Sequence, residues 1–267
     1  MGSSDALSYA DDGETPREVA LDAFRISPHA VTNAEFAEFV EATGHRSECE
    51  RLGWSFVFAG LLPDDFPDTR GVAHAPWWRQ VFGADWRHPE GPGSDVSGRP
   101  DHPVIHVSWN DATTYCKWAG SRLPTEAEWE FAARGGLEGK AFPWGDELEP
   151  GGHRMNVWQG TFPGHNTMED GFYGTAPVDA FPANGLGLHN TTGNVWEWTA
   201  DRFDTASRTT SPVRNPVGPQ AGDFRVIKGG SYLCHESYCR RYRVAARQGD
   251  GPDSSAGNVG FRCAADA

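Results

Sequence analysis

The chain has 267 residues, with 23 Lys and Arg against 37 Asp and Glu and a formal net charge of −14. That excess of acid disfavours nucleic acid and anionic membrane as partners and suits ligands or peptides that carry positive charge. The length fits one domain, and 32 glycines, 19 prolines and 11 tryptophans imply irregular backbone around an aromatic core, with no apolar run long enough to span a membrane.

Residues 1–20 read as a polar leader and 21–267 as the single domain. Met1 to Tyr9 lack the cationic start and apolar run of a signal peptide, so the cytoplasm is the expected compartment. Leu21 to Ile26 alternates like an edge strand. Thr32 and Glu35 have the spacing of a capping box, which predicts a helix with Phe36, Phe39 and Val40 on its buried face and Gly44 at its end. From Gly53 to Pro103 the sequence is aromatic but aperiodic, which reads as long loops of the kind that build binding surfaces. Ser108 or Asn110 caps a second helix through Cys116 to Gly120. Thr125 and Glu128 repeat the capping box for a third, ending at Gly135-Gly136. Beyond Phe142 loops return, with short strands predicted around Arg225–Lys228, Tyr242–Arg247 and Val259–Cys263. The expected class is α+β with low regular content.

Cys234 and Cys239 stand out, placed between Gly229-Gly230 and the cluster Arg240, Arg241, Arg243 and Arg247. A thiol reacts or binds metal as the thiolate, and nearby guanidinium groups favour that form. Spacing alone leaves a disulfide, a zinc ion shared with outside ligands, or plain burial open. His235 lies between the two thiols and is placed to tune either, or simply to face solvent. The five cysteines are odd in number, so at least one is unpaired. His102 and His106 flank Pro103 and β-branched residues. In an extended chain they would lie ~13 Å apart, too far to share an ion, so they read as structural.

Two oxygen-rich segments have the composition of hard-cation loops. Asn156-Val157 with Glu169 to Phe172 offers an amide, carboxylates and carbonyls, and Asn190 to Glu197 offers the same mixture. Calcium accepts such irregular oxygen shells, although these side chains also suit turns that only satisfy their own backbone.

Gly193-Asn194-Val195-Trp196-Glu197-Trp198, Arg122 to Glu130 and Gly260-Phe261-Arg262-Cys263 together resemble the sulfatase-modifying factor family, over about Phe24 to Cys263. The segment Gly230 to Arg243, with both cysteines, resembles the active-site segment of formylglycine-generating enzymes. This implies the sulfatase-modifying-factor fold, a relative of C-type lectins. It also implies an aerobic, copper-dependent oxidase that converts the cysteine of a Cys-x-Pro-x-Arg segment in sulfatase precursors to Cα-formylglycine, with O₂ as co-substrate. The resemblance makes Cys234 and Cys239 the Cu(I) ligands, places Ser231, Tyr238 and Trp196 around them, and puts Ser55, Trp77, Ser255 and Asn258 along the peptide groove. Soft Cu(I) suits such paired thiolates. It further implies one structural calcium on Asn156, Val157, Asp170 and Phe172 and a second on Asn190, Gly193, Val195 and Glu197. A Cys116–Cys263 disulfide follows from it too. A second bridge of vertebrate relatives would need cysteines where this chain has Ala133 and Val244, which points to a bacterial-type enzyme. Cys49 receives no role, and a monomer is expected. The alternatives are a lectin-like ligand-binding protein or pseudoenzyme of the same fold, an iron-dependent sulfoxide synthase, and a dithiol oxidoreductase. The chain lacks the histidine-rich iron motif of the second and the helical Cys-x-x-Cys of the third.

Overall fold

The computed structural model describes residues 1–9, 12–205 and 212–267. Each α-helix among them begins with the same local device, a Ser or Thr whose side chain accepts the amide of an acidic residue three positions on, while that acid reaches back to the cap. Thr32 starts α1 (Asn33–Thr43), which Gly44 ends in the left-handed region at φ 67°. Ser47 starts the short α2 (Glu48–Leu52), absent from the sequence expectations because a helix of 5 residues has no apolar period to detect. Ser108, not Asn110, caps α3 (Trp109–Trp118), and Thr125 caps α4 (Glu126–Ala133), which ends at Arg134 just before the expected glycine pair.

The strands in chain order are β1 (Val19–Ala20), β2 (Phe24–Ile26), β3 (Trp54–Phe58), β4 (Gly71–Val72), β5 (Ala75–Phe82), β6 (Gly160–Thr161) and β7 (His165–Asn166). They continue with β8 (Trp196–Arg202), β9 (Val213–Arg214), β10 (Arg225–Lys228), β11 (Gln248–Asp250), β12 (Val259–Phe261) and β13 (Ala264–Asp266). The central sheet has the order β11-β10-β8-β12, with β8 antiparallel to β10 and parallel to β12, and a second sheet has the order β3-β5-β4. Small two-stranded pairs complete the class, which is α+β as expected.

Three expectations need correction. Gly53 to Pro103 is not all loop, since β3 and β5 pair antiparallel from Trp54↔Phe82 to Phe58↔Trp78. Adjacent Trp77 and Trp78 break the alternation in β5, and β3 is apolar on both faces, with Trp54, Phe56 and Phe58 on one and Val57 on the other, so neither strand shows the pattern of a half-buried strand. No strand runs over Tyr242–Arg247; Arg243 and Arg247 turn into the core to meet Glu14 and Glu126, and the strand forms afterwards at Gln248–Asp250. The stretch beyond Phe142, read as loop, contains β8, the strand on which the central sheet is built.

The interior combines aromatic bulk with buried ion pairs. Trp86, Trp129, Trp158 and Trp198 are fully buried, and the Trp198 indole donates to the Val107 carbonyl at 3.0 Å. Arg262 grips Glu197 through two hydrogen bonds, and Lys228 meets Glu130 at 3.1 Å. The N-terminal segment joins this network: the amide of Gly2 donates to Glu130 at 2.7 Å, and Glu14 takes two hydrogen bonds from Arg243. Cys116 and Cys263 meet across 147 residues with their sulfurs 3.5 Å apart, but both are free thiols, so the implied pairing is present as a contact and not as a bond. Cys49 is a buried core thiol that donates to the His106 carbonyl at 3.1 Å, and burial pushes its pKa up to about 12. His106 breaks the expected extended run with φ 59° and bonds Ser55 and the Pro89 carbonyl, while His102 bonds Thr175. Both histidines are structural in this arrangement.

Candidate functional site

Gly229 and Gly230 carry the chain off the end of β10 with φ of 94° and 72°. At Gly230 the requirement is steric as well as torsional, because an added Cβ would stand 2.9 Å from the Tyr242 Cα. The turn that follows closes on itself: the amide of Cys234 donates to the Ser231 carbonyl, and the amides of Tyr238 and Cys239 both donate to the His235 carbonyl. It brings the two sulfurs to 3.4 Å, with the amide of Ser231 aimed at the Cys234 sulfur at 3.3 Å. Both thiols line a cleft of about 330 Å³ whose walls include Trp196, Ser231, Tyr238 and Asn258.

The pair is asymmetric. Burial raises the Cys234 thiol well above its ordinary pKa, whereas the hydrogen bond from Cys234, with added help from Arg241, holds Cys239 down to about 7. Of the expected arginine cluster, Arg241 bears on Cys239, whereas Arg243 and Arg247 are paired with Glu14 and Glu126. His235 bonds Ser237 at 2.8 Å and reaches neither sulfur through any hydrogen bond of the described residues. The thiolate is the nucleophilic form. Alkylation of Cys239 by iodoacetamide in metal-free protein is therefore expected to slow as pH falls through about 7. Cys234 should contribute only at higher pH. Rates followed by peptide mass mapping check this, and a midpoint near the ordinary thiol value of 9.0 would contradict the asymmetry.

The Ser231 hydroxyl accepts from the Asn258 side chain at 2.9 Å and from the Leu233 amide at 3.4 Å. Its own O–H is thereby left to donate toward the cleft. Trp196 is 5% exposed, and its amide donates to the Asn258 carbonyl at 2.9 Å. At the mouth the Tyr238 ring, 43% exposed, stacks on Phe162 with centroids 4.6 Å apart and meets Trp77 edge-on at 4.9 Å. Asn258 lines the cleft, and Trp77 packs against Tyr238 beside its mouth.

Ser55 and Ser255 do not line the cleft. They bond each other at 2.9 Å, and Ser55 also meets His106, so their hydroxyls tie β3 to the chain ahead of β12. Gln248, Asp250 and Ser254 line the cleft without having carried a signal in the sequence, and Phe56 and Trp78, which line it too, come from the aromatic stretch expected to build a binding surface, although from strands and not from loops.

Among the described residues no three His, Cys, Asp or Glu side chains converge, so a cation elsewhere would need amide and carbonyl oxygens beside any single carboxylate. Around the first candidate shell, Val157 and Phe172 donate amides to Asp170, Gln159 contacts both Asp170 and the Val157 carbonyl, and the Asn156 Oδ1 is buried without a partner. Burial raises the pKa of Asp170. An orphaned amide oxygen beside a poorly solvated carboxylate is a donor set suited to a hard cation. In the second shell the Asn190 Oδ1 is likewise buried and unpartnered, while Glu197 is held by Arg262 and by the Trp129 indole at 2.7 Å.

All of residues 1–267 match the family model described as Sulfatase-modifying factor enzyme 1-like domain. The chain is 58% identical over 270 residues to the formylglycine-generating enzyme of Streptomyces coelicolor, covering 100% of this chain and 86% of that protein. It is also 58% identical over 270 residues to the formylglycine-generating enzyme of Bos taurus, covering 100% of this chain and 72% of that protein. Among solved structures, PvdO from Pseudomonas aeruginosa superposes with a TM-score of 0.69 at 23% identity, covering 100% of this chain and 90% of that one, which speaks to fold alone.

Proposed function

We propose that this chain, which belongs to the sulfatase-modifying factor family, converts the cysteine of a Cys-x-Pro-x-Arg segment in sulfatase precursors to Cα-formylglycine, with Cu(I) as cofactor and O₂ as co-substrate. The observation that carries this reading is the pair of thiols 3.4 Å apart in the wall of an open cleft. Two sulfur donors, one of them acidic, match a soft monovalent ion of low coordination number and leave room for a third thiol from the substrate. Copper, when held by Cys234 and Cys239, supplies the redox chemistry with O₂ that no side chain of the cleft offers.

The chain's own residues do the rest. Trp196, Ile227, Leu233 and Val259 give the cleft apolar walls that exclude water from the sulfurs. Ser231, fixed by Asn258, presents its O–H to an oxygen in the cleft. Burial keeps the Tyr238 phenol protonated and so a donor at the mouth, where Phe162 and Trp77 hold its ring. The test is incubation of a Cys-x-Pro-x-Arg peptide with the protein, Cu(I) and air, followed by hydrazide trapping of the aldehyde and mass analysis. A copper-loaded protein that binds the peptide but forms no aldehyde would replace this reading with a ligand-binding one.

The same proposal assigns structural calcium to the shells around Asp170 and Glu197. A cation that binds only the folded state raises stability by mass action. Excess chelator is expected to lower the melting temperature of the purified protein, and Asn156→Ala to shrink that difference by removing the orphaned oxygen. Identical melting curves with calcium and with chelator would remove the assignment.

A further inference from the structure

We infer that Asp250 is the docking residue for a guanidinium group of the peptide substrate, a role that rests on the reading of the cleft as a peptide site. Apart from the two thiols and Tyr238, Asp250 is the one ionisable side chain among the residues lining the cleft, and no Lys or Arg lines it. The neighbour placed to neutralise it is Arg225, directly opposite in the β10–β11 register. That guanidinium is engaged elsewhere: it lies 3.8 Å from the Trp109 ring centroid and donates to the Ala200 carbonyl at 2.9 Å. No ion pair of the described residues involves Asp250, although the fully buried Glu14, Glu126, Glu130 and Glu197 each have an Arg or Lys partner.

The local partners of Asp250 are few. The Gly251 amide donates to Oδ1 at 2.7 Å and the Ser254 hydroxyl adds a second hydrogen bond. An ionised carboxylate has about four acceptor positions, so roughly half remain for a ligand in the cleft. Burial and the like charge of Asp253 both disfavour its ionised form in the free protein, and an entering cation would reverse that penalty. A planar guanidinium fits better than an ammonium, because it can bind a carboxylate through two parallel hydrogen bonds and stack on aromatic walls such as Trp78 and Phe56.

The test is fluorescence anisotropy with two dye-labelled peptides, Ser-x-Pro-x-Arg and Ser-x-Pro-x-Ala, in which serine replaces the reactive cysteine. Wild-type protein should prefer the arginine peptide by about tenfold. Asp250→Asn should remove that preference while binding the alanine peptide as wild type does, and Asp250→Glu should restore part of it. Equal binding of both peptides by wild type, or a preference that survives Asp250→Asn, would overturn the assignment. Wild-type selectivity lost in Asp250→Asn, in a protein that makes no aldehyde from the cysteine peptide, would keep the docking role and sink the oxidase reading instead.

Discussion

Replacing Cys234 or Cys239 by alanine is expected to abolish tight Cu(I) binding and to reduce aldehyde formation at least ~10³-fold, as when a group that acts as a unit with its partner is removed. The two sulfurs touch, and the acidity of Cys239 depends first on the hydrogen bond from Cys234, so either loss disables both donors. Serine in place of either cysteine should fare no better, since a hard hydroxyl does not substitute for a soft thiolate. Ser231→Ala should behave differently: copper stays bound while turnover falls by about 10²-fold, the loss typical of one oriented donor. Copper binding by competition with a chromogenic chelator, run beside peptide turnover, separates the two classes. Retention of full copper affinity in Cys239→Ala would refute the paired-thiol site.

Glu14→Ala should destabilise the fold by about 3–5 kcal/mol, because it leaves a buried guanidinium with only the more exposed and more distant Asp5, at 3.9 Å, as counter-charge. Arg243 and Glu14 are both almost fully buried, and two hydrogen bonds of 2.8 and 2.9 Å join them. Arg243 follows Cys239 by four positions, so the pair also anchors the arm that leaves the thiols; the neighbouring Asp12–Arg241 contact at 2.6 Å does the same nearer the site. A double variant, Glu14→Leu with Arg243→Met, should recover most of the loss, since apolar residues of similar size avoid the desolvation cost. Urea unfolding monitored by tryptophan fluorescence measures both. A loss under about 1 kcal/mol for Glu14→Ala would mean that the N-terminal segment does not cover Arg243 in solution.

Much of the helical framework and the reactive pair was legible because the signals are local. Thr32 with Glu35 and Thr125 with Glu128 act over three residues and need no tertiary context to start a helix. Ser47 with Glu50 carried the same signal, but its helix is too short to show a buried face. Cys234 and Cys239 share one turn, and Gly230 next to them marks a close approach that only glycine permits. The α+β class and the family motifs were readable for the same reason, since each occupies a short continuous stretch.

What the chain's order could not reveal was which polar groups would find partners. Arg243 and Arg247 read as activators of the thiols, yet they are claimed by Glu14 and Glu126, 229 and 121 residues away. Ser55 and Ser255 read as groove residues, yet they satisfy each other across 200 residues. Asp250 carried no signal at all, because its role follows from β11 entering the cleft wall while Arg225 is drawn off to Trp109. By itself the sequence determined the helix starts, the thiol turn and the family. Tertiary structure decided the ionic pairing and the cleft lining, because a buried charge is stable only where packing brings its counter-charge, and that meeting depends on contacts no local pattern encodes.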